Sequence, residues 1–227
     1  MKLSTIFVMR KLLTMSALVI SSLAIPPAQS SVLMIDDFNN GHTNKTLVGP
    51  ATQSFSTTVN ANGIIGGQRV IDFQLTEAPN ESRTANLFVN AGNDTLSLSN
   101  TVESNSFVTL SYGPGLNQVL PTGGHFVFPV VNTDGVTSEL NFSLNGSDPK
   151  SVIITDIGNA YIPSYLFGDV SVIDSLELGI AGETGFDIEL KKITYEYPTV
   201  VNEPSALLAV IIPLTAIGLL RRKATAI

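Results

Sequence analysis

Between residues 70 and 197 the chain alternates apolar and polar residues with period two, interrupted every few residues by Gly, Asn, Asp or Pro. Ile71, Phe73 and Leu75 share one face of the first run. Residues 84–90 (TANLFVN) and 95–99 (TLSLS) follow, separated by Ala91-Gly92-Asn93-Asp94. The run 106–112 leads into Gly113-Pro114-Gly115. Residues 125–131 set Phe126, Phe128 and Val130 against Val127 and Val131, and residues 137–144 put Leu140, Phe142 and Leu144 together. Runs at 151–156, 175–180 and 186–197 complete the series. In the last, Phe186, Ile188 and Leu190 share a face, and Ile193, Tyr195 and Tyr197 another, so the change of phase predicts a bulge at Lys191-Lys192. Short alternating runs at this spacing predict an all-β, antiparallel β-sandwich, jelly-roll-like in its connections. Successive side chains of a strand point to opposite faces, so each such run has one face to bury and another to leave in solvent. The connections are too short for helical crossovers.

The two ends of the chain read differently. Lys2, Arg10 and Lys11 precede an apolar stretch from 12 to 25, closed by Pro26-Pro27-Ala28-Gln29-Ser30. That order predicts a signal peptide over 1–30, with signal peptidase cutting between Ser30 and Ser31. At the other end, Asn202-Glu203-Pro204-Ser205 precedes an uncharged apolar run over 206–220 and the basic stop Arg221-Arg222-Lys223. As a helix the run spans roughly 22 Å, short of a hydrocarbon core of about 30 Å. Bilayer thinning and snorkelling of the terminal cations narrow the gap. One C-terminal transmembrane helix is therefore expected, with its basic end in the cytoplasm. The exported domain is left as residues 31–200, with the tail as 201–227.

Asn202-Glu203-Pro204, the apolar run and the basic end resemble the PEP-CTERM sorting signal of exosortase substrates. The resemblance is confined mainly to this tail, and Asn202 stands where the motif has its first proline. It implies an exosortase-like sorting enzyme that cuts near Glu203-Pro204. Destination would be the bacterial cell surface or an exopolysaccharide matrix, after transient anchoring in the membrane. Exported domains with the same tail also start with Ile-Asp-Asp-Phe and carry Gly-Gly-x-Arg. The matching residues here are Ile35-Asp36-Asp37-Phe38 and Gly66-Gly67-Gln68-Arg69. No activity attaches to that second resemblance.

Charge narrows the classes of partner. Six of the 12 basic residues lie at 2–11 and 221–223, and all 19 acidic residues lie between them, from Asp36 to Glu203, which leaves the stretch 31–203 at −13. A surface this acidic repels nucleic acid and anionic polymer backbones, and favours solubility or divalent cations. No cysteine is present, so neither disulfides nor a catalytic thiol enter.

Few constellations carry chemistry. Asp36 and Asp37 near the start could meet Asp187 near the end and offer calcium its hard oxygen ligands, or stand as solvated carboxylates. The two histidines, His42 and His125, have no partner at metal-ligand spacing, and His125 reads as a strand-entry residue. Gly63, Gly66 and Gly67 form no phosphate loop, because no helix follows them; turns with positive φ are expected. No nucleophile elbow occurs. Carbohydrate recognition needs an aromatic platform and hydrogen-bonding side chains beside it. Tyr112, Tyr161 and Tyr165, in Gly- and Pro-rich stretches read as loops, are the candidates in a chain without Trp. The sequence thus predicts an exported structural or interaction protein without catalysis, or alternatively a carbohydrate-binding module for matrix polysaccharide.

Overall fold

The computed structural model describes residues 29–90, 92–134 and 138–199. Residues 1–28 of the expected signal peptide, the expected sorting motif Asn202-Glu203-Pro204, the apolar run 206–220 and Arg221-Arg222-Lys223 lie outside them. The chain divides into two units, Met1–Gln29 with Thr199–Ile227, and Ser30–Pro198. Of the first, only Gln29 and Thr199 are described. Among the described residues no helix is long and apolar enough to cross a membrane.

Ser30–Pro198 is an antiparallel β-sandwich. Its strands are β1 (Gln29–Asp36), β2 (Thr43–Val48), β3 (Gln53–Asn60), β4 (Gln68–Glu77), β5 (Thr84–Asn90), β6 (Thr95–Asn100), β7 (Asn105–Tyr112), β8 (Gln118–Val119), β9 (His125–Thr133), β10 (Ser138–Leu144), β11 (Lys150–Ile154), β12 (Gly158–Pro163), β13 (Val172–Ile173), β14 (Leu176–Gly182), β15 (Asp187–Leu190) and β16 (Ile193–Thr199). One sheet has the order β1-β16-β9-β15-β6-β5-β2, with β12 on β9. The other has β11-β10-β14-β7-β4-β3, and β8 pairs with β13 alone. The chain passes back and forth between the two large sheets instead of completing one before starting the other.

Period-two alternation dictates the core. Ile71, Phe73, Leu75, Phe126, Phe128, Leu140, Phe142, Leu144, Ile188 and Leu190 are all buried, as their spacing predicts. An irregularity is present beside Lys191-Lys192, which lie in the break between β15 and β16. The pairing with β9 shifts between Glu189 and Leu190, and from Leu190 facing Val130 to Thr194 facing Val127 four steps meet three, which restores the register. Five strands carry no sequence prediction: β2, β3, β12 and the two-residue β8 and β13. β2 and β3 hold few buried residues, and β3 has none, because it lies at a sheet edge. β12 is a six-residue strand bounded by Gly158 and Pro163. Of Ile35-Asp36-Asp37-Phe38 only the first two residues are in a strand: β1 ends at Asp36, and Phe38 turns into the left-handed region at φ 53° with its ring wholly buried.

That turn exists to seat a buried ion pair between the sheets. Asp36 ends β1 of one sheet, while Arg69 begins β4 and Tyr112 ends β7 in the other. Arg69 Nη1 donates to Asp36 Oδ2 at 2.5 Å, with both side chains fully buried. The Tyr112 hydroxyl donates to the same oxygen at 2.8 Å, and the Phe38 N–H to Oδ1 at 2.9 Å. The guanidinium lies over the Phe38 ring, 5.3 Å from its centroid. Burial raises the Asp36 carboxyl above its ordinary pKa, against the opposing pull of the Arg69 charge and the hydrogen bonds from Arg69, Phe38 and Tyr112. Burial, and then the Asp36 charge, hold the Tyr112 phenol well above its ordinary value. Gly63, Gly66 and Gly67 all have positive φ, as expected, and they shape the turn before Arg69. A Cβ on Gly63 would strike the Asp37 carboxylate.

Removing one partner of a buried pair leaves the other charge uncompensated, which costs about 3–5 kcal/mol. Asp36→Ala should therefore lower the unfolding free energy in urea by about that amount, and Asp36→Leu with Arg69→Met should recover part of it. A loss under about 1 kcal/mol for Asp36→Ala would contradict this role.

Candidate functional site

Two of the three candidate tyrosines are not where the sequence reading puts them. Tyr112 is no loop residue: it lies in β7, is 1 % exposed, and is committed to Asp36. It offers no platform. Tyr161 is no loop residue either, but a residue of β12 whose ring stands half out of the sheet, 50 % exposed. Tyr165 sits in a 3-10 turn, Ser164–Phe167, and is 74 % exposed.

The calcium set is not assembled. Asp36 is buried and held by Arg69, Asp37 accepts the Asn39 N–H at 2.9 Å, and Asp187 is exposed on β15 opposite Ser99. Among the described residues no group of three His, Cys, Asp or Glu is placed to hold a metal ion. Ser30 and Ser31 lie in the first residues of β1. His42 packs edge-on against Phe88 at 5.2 Å.

What the strand register assembles around Tyr161 is a patch on the outer face of β12, β9 and β16. Asn159 faces Pro129, Tyr161 faces Val127 and Pro163 faces His125 across β12–β9. On the other side of β9, Thr194 faces Val127 and Glu196 faces His125. Alternation then sorts the faces: Ala160, Ile162, Phe126, Phe128 and Tyr195 point into the core, while Asn159, Tyr161, His125 and Glu196 point away from it. The His125 ring meets Tyr161 edge-on at 5.2 Å and 69°. Asn159 Nδ2 donates to the Tyr161 hydroxyl at 3.1 Å, and His125 Nε2 stands 3.9 Å from Glu196 Oε2. Val127 at 2 % exposure is buried on this same face without joining the core cluster. The result is an aromatic ring held by two neighbours, flanked by an amide, an imidazole and a carboxylate that solvent reaches.

A hydrogen-bonded knot behind the patch fixes its geometry. The buried Tyr195 hydroxyl donates to Pro121 O at 2.5 Å and accepts the Gly124 N–H at 3.1 Å. Gly124 O in turn accepts from Ser164 N at 3.0 Å and Ser164 Oγ at 2.9 Å. The knot ties the start of β9 to the turn that carries Tyr165. Phe167, closing that turn, packs on Phe142 at 5.8 Å and Phe126 at 6.3 Å. A Cβ on Gly124 would meet Glu196 O and the Tyr195 ring, so only glycine fits.

Away from this open face, a concavity of about 760 Å³ opens among the turns β4–β5, β6–β7 and β14–β15, lined by Glu77, Pro79, Glu103, Asn105, Glu183 and Thr184, among others. It has no aromatic lining. Glu77 is held by Asn105 Nδ2 at 2.8 Å and Glu103 by Arg83 at 2.7 Å, so two of its carboxylates already have partners.

Asn159, Glu196 and His125 were missed as site residues. For Asn159 the sequence signal is its alternation with Tyr161 against Ala160 and Ile162 in β12, which spans too few residues to stand out; His125 and Glu196 lie in runs read as strands, and only the register brings them beside Tyr161.

No protein-family model matches the chain, and no curated protein matches it. Among solved structures the chain is similar to the solution structure of CtCBM11, at 13% identity and a TM-score of 0.36, over 78% of this chain and 99% of that one. It is similar to a mutant of the family 29 carbohydrate-binding module CBM29-2 complexed with mannohexaose, at 11% identity and a TM-score of 0.35, over 74% and 92%. A third is the family 11 carbohydrate-binding module of the cellulosomal cellulase Lic26A-Cel5E of Clostridium thermocellum, at 14% identity and a TM-score of 0.31, over 73% and 94%. At these identities and scores none of the three assigns a ligand or a site to this chain.

Tyr195→Phe should cost about 1–3 kcal/mol, the desolvation penalty of groups left unpaired in the knot. Thermal or urea unfolding measures it. A variant as stable as the parent would mean that the knot does not hold the patch.

Proposed function

We propose that the Ser30–Pro198 unit is a jelly-roll-like carbohydrate-binding module without catalysis, and that it takes its ligand on the outer face of β12, β9 and β16. One observation carries this reading: Tyr161 is a half-exposed ring, immobilised by His125 and Asn159, on a sheet face with polar groups on either side. The apolar C–H face of a pyranose stacks on such a ring, and its hydroxyls find donors and acceptors at Asn159, His125 and Glu196. A ring already held in place loses little entropy on binding, which favours recognition of a weakly apolar ligand. Tyr165, exposed on its turn, extends the aromatic surface.

Full-length protein in mild detergent should be retarded in native gels that contain a polysaccharide it recognises. Tyr161→Ala should weaken that retention by about tenfold or more, equal to about 1.4 kcal/mol. Its melting temperature should stay near that of the parent, because the side chain lies outside the core. Absence of retention on any of a broad polysaccharide panel would contradict the reading.

We further infer from the sequence of the two ends that the module is exported, sorted through its tail by an exosortase-like enzyme, and delivered to the cell surface or matrix. A carbohydrate-binding module has its ligand in that place. Glu203→Ala with Pro204→Ala should leave the uncut chain in the membrane fraction; a released form of unchanged mass would contradict tail sorting.

A further inference from the structure

Cations are scarce on this domain, and their distribution is uneven. Between residues 31 and 200 stand six basic residues against 18 acidic ones. Arg69 is spent in the buried pair with Asp36, Arg83 is paired with Glu103, and Lys45 lies over the Phe55 ring. That leaves Lys150, Lys191 and Lys192, and two of these three are adjacent.

The break between β15 and β16 determines where the adjacent pair points. In a regular strand Lys191 and Lys192 would occupy opposite faces. Here the buried residues on either side are Leu190 and Ile193, and both lysines between them are exposed. The break between β15 and β16 therefore leaves two like charges on the solvent side, adjacent in sequence. Like charges at this spacing repel, and among the described residues neither lysine has a carboxylate within ion-pair distance.

The pair also lies beside the aromatic patch. Lys191 N donates to Pro129 O at 2.9 Å, and Pro129 faces Asn159 on the far side of β9. Tyr161 is the next residue of β12 on the outer face. Two inter-strand spacings across and two residues along place the lysine and tyrosine backbones roughly 12 Å apart. A ligand of two or three sugar rings spans that separation. Glu196 on this face is turned towards His125, and Glu189 precedes Lys191 by two residues.

We propose that the ligand of this face is an acidic polysaccharide bearing uronate carboxylates, with one sugar stacked on Tyr161 and a neighbouring carboxylate held by Lys191 and Lys192. The assignment rests on the carbohydrate-binding reading above and adds the class of polymer. The net negative charge of the domain opposes an anionic chain at long range, but at physiological salt that field is screened over about 8 Å. Contact between a carboxylate and two ammonium groups acts within that length. The two adjacent cations give the acidic sugar a counter-charge that a neutral glycan leaves unused.

Affinity electrophoresis of the full-length protein in mild detergent separates the possibilities. Gels would carry polygalacturonate or alginate as acidic probes, and a β-glucan or a galactan as neutral ones. The parent should be retarded most by the acidic gels. Lys191→Gln with Lys192→Gln should weaken that retention by about tenfold or more, and Tyr161→Ala should weaken it too. Retention by neutral gels alone, or an unchanged affinity of the lysine variant for the acidic gels, overturns the acidic-polymer assignment and leaves the carbohydrate-binding reading in place. No retention on any gel, or loss in the lysine variant without loss in Tyr161→Ala, overturns both.

Discussion

The buried pair of Asp36 and Arg69 is the constraint on which the rest of the sandwich depends. It joins the last residue of β1 to the second residue of β4, and through Tyr112 to the end of β7, so it links both sheets where hydrophobic contact alone has no direction. A fully buried ion pair is weak as a source of net stability, because desolvation of the two charges offsets their attraction. Its effect is on specificity: any packing that separates the two groups leaves one charge alone in the core. The other features of this end are consequences. Phe38 adopts a left-handed turn that aims its N–H at the carboxylate, and Gly63 leaves room for Asp37 beside it.

The patch around Tyr161 relies on a neutral counterpart of that pair. Tyr195 has a buried ring in the aromatic cluster with Phe126, and its hydroxyl reaches the backbone of the 121–124 loop. The same loop receives Ser164, so β9, β12 and the Tyr165 turn share one network. Rigidity of this kind matters on a flat face. A cleft can hold a ligand by enclosure, whereas an open face must present its ring and polar groups already in position.

Much of the fold was legible in the alternation. Nearly every residue assigned to an inward face between 70 and 197 is buried, and the change of phase at Lys191-Lys192 marks a real irregularity between β15 and β16. What was not legible has two physical causes. Edge strands such as β3 bury little, so their residues carry no clear apolar period. Roles that depend on register do not appear in one strand's sequence: Asp36 with Arg69, or Tyr161 with His125, lie more than 30 residues apart. Composition misled at Tyr161, where nearby Gly and Pro suggested a loop although the tyrosine lies in a strand. The Asp36-Asp37 pair suggested calcium because its sequence does not show that Arg69 lies against Asp36. The motifs Ile-Asp-Asp-Phe and Gly-Gly-x-Arg turn out to supply the two halves of the buried pair.

The central claim is that sugar binds on the sheet face and not in the acidic cleft among the turns. Hydroxyl-radical footprinting of the whole protein, with and without a polysaccharide that retains it, tests that most directly. Tyr161 and His125 should be protected when the polymer is present, while Pro79 at the cleft should react as before. Protection at Pro79 with an unchanged rate at Tyr161 would contradict the account.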